Sequence, residues 1–528
     1  MKKYALLIFT ILFLGTLSPS VYGEKYIRSI GIVRLNVFDN QLEHKSNFLF
    51  KLANKFHVVT KERIIRQELL LQSGDVFDKE TLEESLRNIR SLVFIGDARS
   101  VISRIEGDSV DIKIITEDLW TTAVGASAEG GGGRYNFTIY ADEKNIAGLG
   151  IGFDANLQFT TDENDGYVFL ITDRRLFGSR FMTNIWLCDL SYERGQSIQL
   201  NQPFYSLDTK WSFGGLLGKK ESEPRIFYYG NEIFKYKYNY KIFNFYLNRA
   251  FGKHTRLVPG LQFAYNNHEY SELPGINDAY GLIPQNEIFS GPGINLKIST
   301  FRYFTAVYLD EFGTTEDLAE HAFIEVNTIW YDDAFNANYE GAYFRVGAGF
   351  FVNPAKRVYI GAKNSYSNYY NGTNRERITN TFNSIIYYKP SCRNLLACRF
   401  MTQFGYRQES NYQLVLGGIN GLRGYPDRYF EGTKLALTNI EYRIFTPVEI
   451  FTVGLGGAVF FDAGYVWDDN ERVSLSDMKK DVGIGLRFGL TKSSTARIIR
   501  FDLAKALDSN NWYLSFSTEN LFGLARFQ

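Results

Sequence analysis

The chain of 528 residues is poor in the side chains that bind metals or build disulfide scaffolds. Its three cysteines, Cys188, Cys392 and Cys398, are too few for a disulfide framework and lack the paired spacing of a metal site. Cys392 and Cys398 could bridge a turn in an oxidising compartment, and free thiols are the equally open alternative. We therefore expect no metal and no cofactor.

Long hydrophobic runs are missing after the first residues. Lys2 and Lys3 precede an apolar stretch from Ala5 to Leu17, and the small residue Gly23 closes the pattern of a secretory signal peptide. That stretch is shorter than the roughly 20 residues that a membrane-spanning helix needs. We expect residues 1–23 to be removed and no transmembrane helix to follow.

Signatures of catalysis and of nucleic-acid binding are also lacking. A hydrolase needs a nucleophile with a positioned base, but the sequence holds neither a GxSxG nor an HExxH motif. The 58 basic and 58 acidic side chains cancel, so no net positive charge would attract a phosphate backbone. We predict a protein that is not an enzyme and does not bind nucleic acid. The five histidines show no paired spacing: His44, His57, His254, His268 and His321.

Aromatic residues and glycine are plentiful by contrast. The chain has 35 Tyr, 44 Phe and 47 Gly but only 11 Pro. Membrane β-barrels consume aromatics in the girdles at the two membrane interfaces and glycine in tight strand turns. The composition therefore favours a β-barrel over a soluble globular protein.

Residues 24–118 show the pattern of a small α/β domain. A β-branched strand at the start is followed by a polar stretch near residues 39–58 that looks like an insertion. Thr60 and Asp78 are candidate caps of two helices, and the second helix has an apolar stripe of Leu82, Leu86, Ile89 and Val93. Two strands complete the order β-α-α-β-β.

This segment, with LLLQSGDVFDKETLEESLRNIRSL at its centre, resembles a polypeptide-transport-associated (POTRA) domain. The resemblance implies a periplasmic domain whose exposed sheet edge accepts an extended client strand. Such pairing uses main-chain hydrogen bonds and requires no particular client sequence.

Residues 119–528 predict an antiparallel barrel of about 16 strands, at about 10 residues per crossing with long outer loops. In DVGIGLRFGL, Val482, Ile484 and Leu486 lie on one face, and Asp481 and Arg487 lie on the other. One face suits lipid and the other a hydrated lumen. Closure removes the free edge that a strand in lipid cannot tolerate.

A long loop near residues 415–432 carries the most distinctive motif, Leu422-Arg423-Gly424-Tyr425. The alternation of the flanking strands turns Glu441 and Asp462 toward the lumen. An arginine can bind a carboxylate through two parallel hydrogen bonds, and such a link is strong where water is excluded. We hypothesise that Arg423 enters the lumen and meets Glu441 and Asp462.

The motif and its acidic partners resemble the C-terminal barrel of the outer-membrane assembly superfamily of BamA and TamA relatives, also called bacterial surface antigens. There an (I/V/L)RG(F/Y) loop tip enters the barrel, so the resemblance implies that Leu422, Arg423, Gly424 and Tyr425 form the tip. Glu441 in EYRIFTP and Asp462 in FFDAGYVW stand at the acidic positions. Only one POTRA-like unit fits before the barrel, which leaves the client open.

The resemblance also implies a function in the bacterial outer membrane. We expect a protein that assists insertion of outer-membrane proteins or translocation of polypeptides, through client binding by the POTRA-like domain and a lateral barrel seam. Expected partners are unfolded outer-membrane or secreted polypeptides and outer-membrane lipids, with periplasmic chaperones or accessory lipoproteins as further candidates. The alternative is a passive outer-membrane channel or surface receptor without assembly activity.

The first strand of the barrel, TTAVGASAEGGGG, is rich in Gly, Ala and Ser, which pack less area in a sheet than β-branched residues do. We hypothesise that the seam between the first and last strands can part and template client strands. A frayed strand without a role is the alternative.

Overall fold

The computed structural model describes residues 25–39, 48–131, 134–161, 165–275, 278, 281–469, 471, 473–494, 498–518 and 521–523. It has two parts, a small α/β domain and a large closed barrel. The predicted signal peptide of residues 1–23 lies outside the described residues.

The N-terminal domain is a three-stranded sheet in the order β1-β3-β2, with β1 parallel and β2 antiparallel to the central β3. Its core is formed by apolar side chains of the sheet and of two helices, among them Ile65, Ile89 and Ile114. The elements in chain order are β1 (Tyr26–Leu35), α1 (Phe48–Phe56), α2 (Glu62–Glu68), α3 (Lys79–Arg90), β2 (Ile95–Glu106) and β3 (Ser109–Asp118).

Helix α1 differs from the sequence prediction, which places a polar insertion at residues 39–58. The cap predicted for Asp78 is present, since its side chain accepts hydrogen bonds from the backbone N–H groups of Glu80 and Thr81. The cap predicted for Thr60 was wrong: its backbone N–H and its hydroxyl both donate to Asp118 Oδ2, at 2.7 and 2.8 Å. Tertiary contact with β3 therefore replaces local capping.

The barrel closes through twenty antiparallel strands rather than the expected sixteen or so. The expectation was too low because it assumed long outer loops, whereas some early outer connections are very short, such as Ser191–Tyr192 between β8 and β9. Two hairpins, β11 with β12 and β21 with β22, lie outside the barrel wall. The strands are β4 (Thr122–Gly131), β5 (Arg134–Glu143), β6 (Ile151–Thr160), β7 (Gly166–Asp173), β8 (Met182–Leu190), β9 (Glu193–Gln202), β10 (Trp211–Ser222), β11 (Arg225–Tyr228), β12 (Asn231–Lys235), β13 (Lys237–Arg249), β14 (Thr255–Ser271), β15 (Glu287–Ala306), β16 (Glu316–Tyr331), β17 (Gly341–Ala355), β18 (Val358–Tyr370), β19 (Arg375–Ser391), β20 (Asn394–Tyr406), β21 (Leu414–Leu416), β22 (Phe430–Gly432), β23 (Lys434–Ile450), β24 (Val453–Trp467), β25 (Lys479–Leu490), β26 (Ile498–Ala506) and β27 (Trp512–Ser517).

The predicted alternation is confirmed in β25, where Ile484 and Leu486 are exposed outward while Asp481 and Arg487 are buried inward. Trp512 and Leu514 of β27 also face outward, as the two-residue alternation of WYLSFSTENLF predicts. The same alternation predicts Phe522 on that outer face, and this prediction is wrong. The strand ends at Ser517, and Phe522 is buried in an apolar cluster inside the barrel.

Cysteine chemistry and helical membrane spans contribute nothing to this architecture within the described ranges. All three cysteines are free thiols, so Cys392 and Cys398 do not bridge. Over the part of the chain that the structure describes, no group of three or more His, Cys, Asp or Glu side chains is arranged to hold a metal ion. None of the helices described is long and apolar enough to cross a membrane.

Candidate functional site at the loop tip

The loop between β20 and β23 folds back into the barrel. Hairpin β21–β22 lies at its base and directs residues 417–429 inward. Leu422 and Arg423 are fully buried, and Tyr425 is almost so. The tip therefore sits inside the barrel, as the sequence predicts.

Two glycines allow this path. Gly421 has a φ of +123°, a left-handed conformation that side-chain-bearing residues rarely adopt. Gly424 passes so close to the wall that a Cβ there would lie 2.5 Å from Asp481 Cβ and 2.9 Å from the backbone nitrogen of Ala506. Its N–H donates to Asp481 Oδ2 at 3.0 Å. The tip is thus held at backbone level against β25 and β26.

Arg423 makes the ion pairs that the sequence predicts. Its Nε and Nη2 donate to the two oxygens of Asp462 at 2.8 and 3.0 Å, which is the bidentate geometry. Its Nη1 donates to Glu441 Oε2 at 3.0 Å. The guanidinium carbon also lies 3.3 Å from the ring centroid of Phe460, where a cation is attracted by the aromatic face.

A third acid, Asp502 of β26, was missed by sequence reasoning. Arg423 Nη1 donates to Asp502 Oδ2 at 3.2 Å, and Arg487 and Arg500 bind the same carboxylate at 2.6 and 2.7 Å. Alternation in IIRFDLAKA would have placed Asp502 inward, on the face opposite the lipid-facing Phe501. What alternation could not supply is the distance across the lumen.

Glu441 joins the loop tip to two further arginines. Its Oε1 accepts hydrogen bonds from Arg443 Nε and Arg487 Nη2, both at 3.0 Å, while its Oε2 accepts from Arg423. Every group in this set is buried. Burying charges is costly unless each is paired and hydrogen-bonded, so the network is stable only as a complete set.

Tyr425 and Asn439 fix the tip on either side of the arginine. The Tyr425 hydroxyl lies 2.8 Å from Asp508 Oδ1 and accepts from the Lys480 N–H at 3.2 Å. Asn439 Nδ2 lies 2.8 Å from both the Gly421 carbonyl and Asp462 Oδ1. The tip is therefore linked to each of the four consecutive strands β23–β26 and to the turn that follows β26.

An outer hairpin covers the loop from the other side. Gln413, just before β21, exchanges two hydrogen bonds with the backbone of Phe227 in β11, at 3.0 and 2.6 Å. Arg428 stacks over the Phe227 ring at 4.7 Å. These contacts hold the loop base while the tip is held inside the barrel.

The turn of residues 307–315, between β15 and β16, reaches the same network from the opposite end of the barrel. Its Asp310 Oδ1 accepts from Arg443 Nη1 at 3.1 Å and from the Tyr387 hydroxyl at 2.7 Å. Phe312 fills a recess in which added Cβ atoms at Gly456 and Gly489 would lie 2.8 and 2.2 Å from its ring. No sequence pattern indicated this inward turn.

The POTRA-like domain docks on the same end of the barrel. Arg90 of α3 forms two hydrogen bonds with Asp317 at the start of β16, at 2.6 and 2.7 Å. Glu68 of α2 is fully buried and accepts both donors of Arg175, which lies in the turn after β7. Domain and barrel are thus joined by two charged pairs, of which the Glu68–Arg175 pair is buried and the Arg90–Asp317 pair is partly exposed.

The seam between β27 and β4 contrasts with the other strand pairings. Among the described residues, these strands oppose each other at a single pair, Phe516 and Gly130. Strand β4 pairs with β5 along its entire length. Beyond β27 the chain turns inward, and the Phe522 carbonyl accepts from Arg443 Nη2 at 3.1 Å.

Comparison with known proteins gives one family match and several weaker likenesses. The model described as the Omp85 superfamily domain matches residues 145–516. A Treponema pallidum (strain Nichols) protein, named as a candidate outer membrane protein assembly factor, is 28% identical over 145 residues, which cover 26% of this chain and 17% of that protein. The match thus spans less than a fifth of that relative.

Solved structures show distant likeness. BamA from Haemophilus ducreyi lacking POTRA domains 1–3 has 12% identity and a TM-score of 0.40, over 93% of this chain and 84% of that one. CdiB from Acinetobacter baumannii has 11% identity and a TM-score of 0.44, over 93% and 73%. The family assignment rests on the sequence match alone.

Proposed function

Because the chain belongs to the Omp85 superfamily, we propose that it assists insertion of outer-membrane proteins or translocation of polypeptides across the outer membrane. The barrel lies in the bacterial outer membrane. In this proposal the POTRA-like domain binds clients and the seam between β27 and β4 opens sideways. No step requires a catalytic residue.

The observation that carries the proposal is the weak seam. Strands in lipid must satisfy their backbone groups by pairing, so a boundary with one opposed residue pair is the least costly place to open. Unpaired backbone groups on β4 and β27 would then template a client strand by β-augmentation. Strands β23–β26, linked by the loop tip, supply a firm wall next to β27.

The edges of the POTRA-like sheet support the first step. Strand β2 lies at one edge of the order β1-β3-β2 and exposes Val101, Ile102 and Ile105. An exposed apolar edge strand is a template for an added strand. A client could therefore bind through main-chain hydrogen bonds before it reaches the barrel.

A passive channel or receptor is the alternative, and the occupied barrel interior does not favour it. The loop tip enters from the outer side, and the turn of residues 307–315 enters from the periplasmic side. Depletion followed by outer-membrane proteomics separates the two functions. Loss of several barrel proteins supports assembly, whereas unchanged barrel proteins with lost ion conductance support a channel.

A reversible lock tests the seam directly. In a chain whose native cysteines are replaced by serine, Gly130→Cys with Phe516→Cys should cross-link β4 to β27 on oxidation. Ala126→Cys with Ile139→Cys, an opposed pair of β4 and β5, is the matched control. The assay measures insertion of a urea-denatured outer-membrane barrel into proteoliposomes that contain the variant. Insertion should stop when the seam is cross-linked and resume on reduction. Full activity in the locked seam would exclude lateral opening.

A further inference from the structure

Helix α1 carries an apolar stripe on the surface of the POTRA-like domain. Phe48, Leu52 and Phe56 follow each other at four-residue spacing, so they share one face of the helix. Their exposed fractions are 74%, 39% and 72%, and Val58 just beyond the helix is exposed by 54%. Contiguous exposed apolar side chains of this size mark an interaction surface.

The opposite face of α1 is already packed, so the stripe is not needed for the domain's own core. The ring of Phe50 stacks on that of Phe38, with 4.6 Å between the centroids. The Asn54 amide donates to Asp39 Oδ1 at 2.9 Å and accepts from the Phe38 N–H at 3.1 Å. These contacts fix the helix in one orientation with its stripe outward.

The C-terminal end of α1 is anchored at the barrel rim close to the seam. The His57 ring lies 6.1 Å from that of Trp120, which stands two residues before the start of β4. Thr60 Oγ1 accepts from Asn145 Nδ2 at 2.8 Å, and Lys61 N–H donates to the Gly148 carbonyl at 3.0 Å. Asn145 and Gly148 lie in the turn between β5 and β6. The stripe therefore begins a few residues from the edge of the membrane-embedded surface.

The barrel rim beside this anchor also exposes apolar side chains. Ile146 lies in the turn between β5 and β6 that accepts the hydrogen bond from Lys61, and its exposed fraction is 39%. Phe177, in the turn after β7, is exposed by 97%. Above them the outward residues of β6, including Phe153 and Leu157, form part of the lipid-facing surface. Exposed apolar side chains therefore lie on both sides of the anchor, on α1 and on the barrel rim.

Lysines accompany the stripe. Lys51 and Lys55 are exposed on α1 and border Phe48 and Leu52 on the helix surface. A lysine can lay its apolar stem along the interface while its ammonium group stays in water. Near a bilayer, such ammonium groups are attracted to anionic phospholipid headgroups. Apolar residues bordered by basic ones are typical of interfacial helices.

We propose that α1 is an interfacial membrane helix that binds the periplasmic leaflet of the outer membrane beside the seam, with anionic phospholipid as its partner. Its nine residues extend about 13 Å at 1.5 Å per residue, so it lies in the plane of the interface and does not span the bilayer. The contact fixes the POTRA-like domain to the lipid next to β4. This inference rests on the membrane location of the barrel and not on the proposed function.

Depth measurement on the full chain in lipid tests the proposal. A spin label at Leu52→Cys, with the native cysteines replaced by serine, is placed in nanodiscs of phosphatidylethanolamine and phosphatidylglycerol. The same label at Val101→Cys, on the exposed edge strand β2, is the control with a similar exposed fraction of 48% against 39%. Collisions with a water-soluble nickel chelate should be at least about threefold rarer at position 52, because an interfacial helix buries its apolar face about 5–10 Å deep.

Lipid charge gives the second measurement. Lys51→Glu with Lys55→Glu should raise chelate access to the label at position 52, whereas Lys79→Glu with Lys113→Glu should leave it unchanged. Replacing phosphatidylglycerol by phosphatidylcholine in the nanodiscs should likewise raise chelate access to the label at position 52. Equal chelate access at positions 52 and 101 in nanodiscs would overturn the proposal. If an added periplasmic protein then shielded position 52, the partner of the stripe would be a protein and not lipid, and the proposal would be overturned as well. Seam locking leaves these outcomes unchanged, so the two proposals fail independently.

Discussion

Two neighbouring parts of the barrel wall differ in how extensively their strands are paired and linked. Strands β23–β26 are joined by extended hydrogen-bonded pairings and by the buried ion network of the loop tip. The adjacent boundary of β27 with β4 has one opposed residue pair in the described strands and a first strand rich in Gly, Ala and Ser. In the proposed function, the firm wall next to the weak boundary confines opening to one place. A buried ion network adds little net stability compared with apolar packing, so its main effect here is to fix the position of the loop tip.

The largest effect is expected from breaking the firm wall at its centre. Arg423→Ala leaves Asp462 buried without its arginine and removes one of the three arginines that bind Glu441, so it should lower the free energy of unfolding by about 3–5 kcal/mol. Heat-induced unfolding of the barrel in detergent micelles, followed by gel mobility, measures this. Arg302→Ala is the control, because that side chain is 85% exposed. An unchanged unfolding temperature in Arg423→Ala would mean that the network does not hold the wall.

The base of the seam should respond to pH through Asp118. Burial raises the pKa of Asp118 to about 6 from 3.8, so the folded protein holds this proton more tightly than the unfolded chain does. The stabilisation from this protonated carboxyl is complete below about pH 4 and is lost as the pH rises through 6. At neutral pH the free energy of unfolding is therefore lower by about 3 kcal/mol.

Asp118→Asn tests that cost, since an amide oxygen can still accept from Thr60 without carrying charge. The urea midpoint of the POTRA-like domain should fall between about pH 4 and about pH 7 in the wild type and fall less in the variant. His57 Nε2 lies 3.9 Å from Asp118 Oδ2 and contributes in the opposite direction, because burial lowers the pKa of His57 and the domain loses that stability as the pH falls. A wild-type pH slope in Asp118→Asn would contradict the assignment.

The seam itself should differ from the firm wall in hydrogen exchange. Amides of β4 and β27 should exchange at least about a hundredfold faster than those of β24 and β25, a difference of about 2.7 kcal/mol in opening free energy. Mass spectrometry of the protein in nanodiscs measures both regions in one sample. Equal protection of the two regions would remove the basis for a weak seam.

A smaller effect is expected from crowding the loop tip. Gly424→Ala brings a Cβ to 2.5 Å from Asp481 Cβ, so it should lower the free energy of unfolding by about 1–3 kcal/mol. Gly457→Ala in β24 is the matched control, because its nearest neighbour lies at 3.6 Å. The same unfolding assay serves both variants. A tip that tolerates Gly424→Ala as well as the control is less tightly seated than the distances indicate.

Much of this arrangement follows from local patterns. Alternation placed Glu441 and Asp462 inward without any knowledge of distance, because side chains of a strand point to opposite faces in turn. The resemblance of the Leu422-Arg423-Gly424-Tyr425 motif then indicated which arginine they meet. Arg443 of β23, Arg487 of β25 and Asp502 of β26 also stand on inward positions, yet nothing local links them to the loop tip.

Local sequence patterns were enough to predict the barrel class and the inward and outward faces, and the family resemblance of one short motif identified the loop tip, since each depends on residues near one another in the chain. The tertiary structure decided the twenty strands, the arginine network and the inward turn at Asp310. It also decided that Thr60 binds Asp118 instead of capping a helix, and that α1 exposes Phe48 and Phe56 beside the rim. These features depend on closure and through-space packing between segments up to hundreds of residues apart, which a local pattern does not encode.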